Sequence, residues 1–263
     1  MTVTRIGKYK MKREYFTHRS SFLNREMHLL IYGDKGLPLL VFPAQDSTCK
    51  NFEDVGMIDS ISSFIESGQI RVFTVDTVDK ESWSDFSGDK AHRGYIQEQY
   101  YHYIVDEVYP ILIERNTTDR LPVTVGCSLG ATHAGIVALR RPDLFDGCIA
   151  MSGIYDATYF TGGWMNSNWY DNSPVHFLQN MPMNHHYIDL YNQRSLIFCV
   201  GQGAWEADCI RTLLMMASIF KTKGIKAWCD FWGYDVSHDW DWWKKQLRYF
   251  LPKVLDRSAF ANN

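Results

Sequence analysis

The chain has 263 residues, 46% of them hydrophobic and 22% charged, with a formal net charge of -3; this balance supports a sizeable core and argues against nucleic-acid or polybasic membrane partners. No run is long enough to span a membrane, the N-terminal stretch MTVTRIGKYKMKREYF lacks an apolar h-region, and no linker-like composition interrupts the chain. The expectation is therefore one cytoplasmic domain over residues 1–263.

In chain order, residues 13–18 and 27–32 read as two strands around a turn containing Asn24 and Arg25, an antiparallel hairpin. Residues 37–43 form a compact apolar run suited to a strand buried on both faces, followed by the loop 44–48. Helical spacing over 52–65 precedes a strand at 70–76. A long polar loop, 77–93, follows, with Trp83 as its one large aromatic, and an amphipathic helix is expected over 95–115.

Residues 122–134 then read as strand, sharp turn and helix, with Gly126-Cys127-Ser128-Leu129-Gly130 at the turn. In a nucleophile elbow the serine sits on a strained turn, so the residues two before and two after it must be small; Gly126 and Gly130 meet that need. Cys127, beside the serine, reads as a small buried filler. The expected elbow helix, 131–139, ends at Arg141-Pro142, and 145–152 is another buried strand.

Residues 153–193 break the alternation with Gly162-Gly163, Trp164, Trp169, Pro174 and Pro182, and read as a cap-like insertion over the site. His185-His186 within it reads as a surface pair. A strand at 195–201, a loop carrying Glu206 and Asp208, a helix over 209–223, a last strand at 226–232 and a tryptophan-rich helix opened by His238 complete the chain. Gly201-x-Gly203 lacks the third glycine of a dinucleotide loop. The six cysteines show no C-x-x-C pair and fall mostly in apolar segments, so no disulfide is expected. The pattern predicts an α/β fold: a mostly parallel central sheet with an antiparallel N-terminal hairpin and helices on both faces.

A serine hydroxyl needs a base within hydrogen-bond reach and a carboxylate to orient that base. In the order serine, acid, histidine, Ser128 is the candidate nucleophile, Glu206 or Asp208 the acid after a late strand, and His238 the base after the last one. Glu206 is reached first; Asp208 reads as the N-cap of the following helix, so Glu206 is preferred and Asp208 stays as the alternative. Leu129 supplies one oxyanion-hole amide, and Gln45 or Ala44 the second. Trp83, Trp164 and Trp169 are candidates for substrate contact, since nine tryptophans and 15% aromatic residues suggest an aromatic-lined cleft or cap. His133, on the elbow helix, reads as helix packing, and Asp239 and Asp241 as helix-start carboxylates.

Four stretches together resemble the Putative esterase family, whose relatives include esterase D and antigen 85 type enzymes: Gly-Cys-Ser-Leu-Gly at 126–130, Arg-Arg-Pro-Asp-Leu-Phe-Asp-Gly at 140–147, Asn-Ser-Pro-Val at 172–175, and Trp232-Gly-Tyr-Asp-Val-Ser-His-Asp-Trp240. The likeness covers nearly the whole chain. It implies an α/β-hydrolase fold and cofactor-free hydrolysis of carboxylic esters by Ser128, His238 and a carboxylate within 206–208. Ala131 departs from the second glycine that many relatives carry after Gly130. The expected function is a serine carboxylesterase for short acyl esters, with no metal and a small-molecule ester as its only partner class. Homo-oligomer formation is left open. The alternatives are a thioesterase, for example on S-formylglutathione, an acyltransferase with the same residues, or a catalytically silent binding protein.

Overall fold

A computed structural model describes residues 11–257. Eight strands, β1 (Arg13–Ser20), β2 (Arg25–Tyr32), β3 (Leu37–Phe42), β4 (Ile70–Val75), β5 (Val123–Cys127), β6 (Gly147–Met151), β7 (Ser195–Val200) and β8 (Trp228–Phe231), form one sheet in the order β1-β2-β4-β3-β5-β6-β7-β8. The first two pairings, β1 with β2 and β2 with β4, are antiparallel, and all later ones are parallel. Every residue of β3, β4, β5, β6 and β7 is buried, as expected for parallel strands covered on both faces.

Alternation along those strands separates the two faces. Leu39, Val41, Val125, Cys127, Ile149 and Met151 pack with Phe52, Ile61, Trp243 and Phe250, beneath the short helices at 51–66 and the C-terminal helix Trp240–Leu255. Leu40 and Phe42 point the other way, toward Tyr100, Ile104 and the elbow helix Leu129–Arg140. The cap-like insertion is a chain of short helices, Thr158–Thr161, Ser167–Asp171, Pro174–Asn180 and Tyr187–Tyr191. All six cysteines are free thiols, five of them buried. No helix among the described residues is long and apolar enough to cross a membrane.

Several elements depart from their expected form. The helix expected over 52–65 is three short helices, Asn51–Asp54, Met57–Ser60 and Ser62–Glu66: Gly56, left-handed at φ 72°, separates the first two, and Ile61, at φ -115° and ψ 11°, the last two. The helix expected over 95–115 starts earlier, at Lys90, where the Asp89 carboxylate accepts from the His92 amide at 2.8 Å. It then widens into a π-helical stretch, Tyr103–Val108, before Tyr109–Glu114. Pro110 explains the widening: it has no N–H for the carbonyl four residues before it. The strand expected over 226–232 pairs only from Trp228 to Phe231.

Candidate active site

Parallel strands deliver their following loops to one edge of the sheet, and the loops after β3, β5, β6, β7 and β8 meet there. Ser128 follows β5 directly and holds φ 56°, ψ -127°, a conformation that non-glycine residues rarely adopt. Its amide donates to the Met151 carbonyl at 2.9 Å, which fixes the turn to β6. The two flanking glycines are required by backbone contact. A Cβ on Gly126 would lie 2.1 Å from the Gly130 carbonyl oxygen, and one on Gly130 would lie 2.5 Å from the carbonyl oxygens of Phe42 and Pro43.

His238 Nε2 lies 2.9 Å from Ser128 Oγ, and His238 Nδ1 lies 3.2 Å from Glu206 Oε2. Glu206 is fully buried, whereas the His238 side chain keeps 20% of its surface exposed toward the cleft. The other Glu206 oxygen, Oε1, accepts from Ser152 Oγ at 2.6 Å, and Trp243 Nε1 donates to Ser152 Oγ at 3.1 Å. The Trp243 ring also meets the His238 imidazole edge-on, with centroids 4.7 Å apart. An imidazole placed this way can take the hydroxyl proton of Ser128, while the buried carboxylate orients it and stabilises its cationic form.

The loops carrying Glu206 and His238 are sewn together by backbone contacts. Gly203 N–H donates to the Val236 carbonyl at 2.8 Å, and the His238 amide to the Ala204 carbonyl at 3.0 Å. A Cβ on Gly201 would meet the Val236 oxygen at 2.0 Å, so the Gly201-x-Gly203 pair serves this close approach.

Asp208 is not the helix N-cap. The helix runs Ala207–Lys223 with Glu206 at its cap position, and Asp208 is its second residue, with the side chain 49% exposed and 3.6 Å from Arg211 Nε. The reason is that the chain turns helical at Ala207, two residues after Trp205, which holds φ 67°. Asp208 lines the cleft but is not in the hydrogen-bonded chain of Ser128, His238 and Glu206.

Of the two amides considered for the loop after β3, that of Ala44 donates to Asn51 Oδ1 at 3.0 Å. The Gln45 amide donates to no group among the described residues, and Gln45 lines the same cleft as Leu129. Leu129 is the first residue of the elbow helix, so its amide has no intrahelical acceptor and carries the partial positive charge of the helix start.

The expected tryptophan contacts are corrected. Trp83 and Trp169 are fully buried and pack against each other with centroids 4.8 Å apart. Their indole nitrogens are satisfied inside the protein: Trp83 Nε1 donates to Gln97 Oε1 and Trp169 Nε1 to the Lys90 carbonyl, both at 2.7 Å. They pin the insertion to the helix starting at Lys90, and Trp164, although 38% exposed, lies outside the cleft lining. The cleft, about 580 Å³, instead takes its aromatic character from Phe86, Tyr159, Phe160 and Trp205. Trp205 is 89% exposed.

Ser152 and Trp243 were missed in the sequence. The available signal was that Ser152 follows a buried strand at the edge where the other site residues collect. The sequence showed no metal-ligand spacing, yet the fold groups Glu206, Cys209 and His238 with one ligand atom from each within 4.8 Å. Burial raises the Cys209 thiol pKa well above its ordinary value, with the neighbouring Glu206 adding to the effect. Metal binding there would have to displace both that thiol proton and the His238–Glu206 hydrogen bond. His185 and His186 stack on each other near the surface, with centroids 4.7 Å apart.

Residues 20–254 match the family model described as Putative esterase. No curated protein sequence matches the chain. Among solved structures, a ferulic acid esterase is 18% identical, with 95% of this chain and 99% of that one covered at a TM-score of 0.73. An S-formylglutathione hydrolase from Agrobacterium tumefaciens is 15% identical over 97% and 98% of the two chains, with a TM-score of 0.74. MPT51 of Mycobacterium tuberculosis is 14% identical over 93% and 98%, with a TM-score of 0.66. At these identities the likeness speaks to fold, and the fold is that of the α/β-hydrolases.

Proposed function

This chain belongs to the Putative esterase family and is a carboxylic ester hydrolase, and from that premise we propose that it is a serine carboxylesterase working through Ser128, His238 and Glu206. The observation that carries the reading is the continuous hydrogen-bonded chain from Ser128 Oγ through both imidazole nitrogens to the buried Glu206 carboxylate. Ser128 attacks the ester carbonyl as His238 Nε2 accepts the hydroxyl proton, and the oxyanion is received by the amides of Leu129 and Gln45. His238 then returns the proton to the departing alkoxide, leaving an acyl group on Ser128. Water, deprotonated by His238, attacks that acyl group; the carboxylic acid departs as His238 returns the proton to Ser128 Oγ, which regenerates the hydroxyl. No step calls for a metal or cofactor. The unbroken sheet supports a single domain carrying this chemistry, and the six free thiols support a reducing, cytoplasmic setting.

We assign short acyl esters as substrates, because the insertion closes over one side of a cleft of about 580 Å³. A second reading, esters of an aromatic acid or alcohol, is favoured by one observation: Phe86, Tyr159 and Trp205 at the cleft are all exposed, and flat rings stack on such side chains. The deciding experiment is an ester panel from acetate to palmitate plus aromatic acyl esters, combined with fluorophosphonate labelling of Ser128. Absence of turnover on every ester, with Ser128 unlabelled, would reject the function.

A further inference from the structure

The elbow helix carries a buried histidine in contact with a buried carboxylate that the proposed reaction does not use. His133 Nε2 lies 2.9 Å from Asp79 Oδ1, with the two side chains 2% and 0% exposed. Its ring sits among aromatic neighbours: Phe42 stacked at 5.8 Å, and Tyr100 and Trp83 edge-on at 5.1 and 6.1 Å. Neighbouring positions on the same helix, Ala131, Ala134 and Val137, are apolar core residues. A side chain needed only to fill this space would be apolar as well, because burying two ionisable groups costs free energy that their pairing does not fully return.

What the pair holds gives it a use. Asp79 divides its carboxylate: Oδ1 faces His133, and Oδ2 accepts from the Asp46 amide at 3.3 Å. Asp46 follows Gln45 directly and holds φ 60°, and the Ser47 amide closes the turn onto the Ala44 carbonyl at 3.1 Å. Residues 44–47 thus form a tight turn with a left-handed third position, and the Asp79 carboxylate holds the N–H of its central peptide. Ser84 braces the same place: its hydroxyl donates to the Asp46 carboxylate and its amide to the Asp79 carbonyl. The Gln45 amide belongs to the Ala44–Gln45 peptide, whose carbonyl accepts from Ser47, so with Ala44 tied to Asn51 and Asp46 to Asp79 the turn that carries this amide is held from both sides, on a residue that lines the cleft.

We propose that His133 and Asp79 are a positioning pair for the oxyanion hole, in which the elbow helix that presents the Leu129 amide also fixes, through Asp79, the turn that presents the Gln45 amide. His133 lies one helical turn beyond Leu129, so the two halves of the hole are referenced to the same helix. This rests on the esterase reading of the cleft.

The test uses His133→Phe, which keeps an aromatic ring and removes the bond, His133→Gln, which restores a donor toward Asp79, and Asp79→Asn. Each is assayed on a chromogenic acetate ester and against a trifluoromethyl ketone that forms a tetrahedral adduct on Ser128. Loss of an oxyanion donor costs about 10²- to 10³-fold in kcat, and a misaimed one should cost part of that. The expected result is a kcat about 10- to 100-fold lower for His133→Phe and Asp79→Asn with KM nearly unchanged. Affinity for the ketone should fall in parallel, and His133→Gln should recover most of the rate. Folded variants with a lowered Tm but wild-type kcat and ketone affinity would overturn the proposal, making the pair a packing element. If His133→Phe does not fold, Asp79→Asn and His133→Gln decide by the same readouts. Ser128→Ala serves as the control: full turnover in that variant would sink the esterase reading itself, a result separable from any outcome at His133.

Discussion

Ser152 Oγ donates to Glu206 Oε1 at 2.6 Å, the oxygen turned away from His238. The buried carboxylate thereby has both oxygens engaged and keeps its orientation toward the imidazole. Removing this hydroxyl should lower stability by about 1–3 kcal/mol and reduce kcat several-fold. Because Ser152 holds φ 61°, Ser152→Gly is the cleaner variant, since glycine carries no strain there, and Ser152→Ala should be worse. Urea unfolding together with ester turnover measures both effects; wild-type values for Ser152→Gly would remove Ser152 from the site.

Ser128→Ala should reduce kcat by roughly 10³-fold or more without loss of the fold, since residues that act as a unit fail together. Mass spectrometry after fluorophosphonate treatment should find the label on the peptide containing Ser128. A label on a different peptide would move the nucleophile.

Glu206→Gln should lose most activity, whereas Asp208→Ala should leave both rate and stability near wild type. Asp208 caps nothing, and its half-exposed pairing with Arg211 is worth about 0–1 kcal/mol. Paired thermal melts and turnover numbers check this, and a large activity loss confined to Asp208→Ala would reassign the acid.

Trp205 stands 89% exposed at the cleft rim and next to Glu206. Trp205→Ala should raise KM for aromatic esters several-fold and leave acetate ester turnover little changed, because one ring-on-ring contact contributes about 0.5–1.5 kcal/mol. Equal effects on both esters would argue for a structural role at its left-handed position, and faster hydrolysis of palmitate than butyrate would end the short-chain assignment.

Glu98 anchors the insertion: Arg140 donates to its two oxygens at 2.8 and 2.7 Å, and Asn172 Nδ2 donates at 2.7 Å. Burial pushes the carboxyl pKa up, but Arg140 and Asn172 outweigh burial and hold it below its ordinary 4.5. The pair's contribution is then complete above about pH 4.5 and lost as pH falls through the lower folded value. Glu98→Gln should cost on the order of 2 kcal/mol at neutral pH, with the gap to wild type closing below that point. Urea unfolding at pH 7 and pH 3.5 tests it; a gap independent of pH would contradict the assignment.

Much was legible in the residues because local rules decide it. Gly126 and Gly130 around Ser128 mark a turn where backbones nearly touch, and continuous apolar runs such as Leu37–Phe42 mark strands covered on both faces. The order Ser128, Glu206, His238 follows from which strand each loop succeeds, and strand order is a chain property. Helix ends were less legible, since Glu206, not Asp208, occupies the cap position once Trp205 turns left-handed.

Contacts between distant segments could be decided only by the tertiary structure. Whether a tryptophan lines a cleft or fills a core depends on what lies across from it: Trp83 and Trp169 bury each other, while Trp205, in a short polar loop, is left at the rim. Ser152 reaches Glu206 across 54 residues and Asp79 reaches His133 across the same separation, and no periodicity encodes either pairing. Hydrophobic spacing reports which face of an element is covered; hydrogen bonds between loops depend on side-chain directions that exist only once the sheet has assembled.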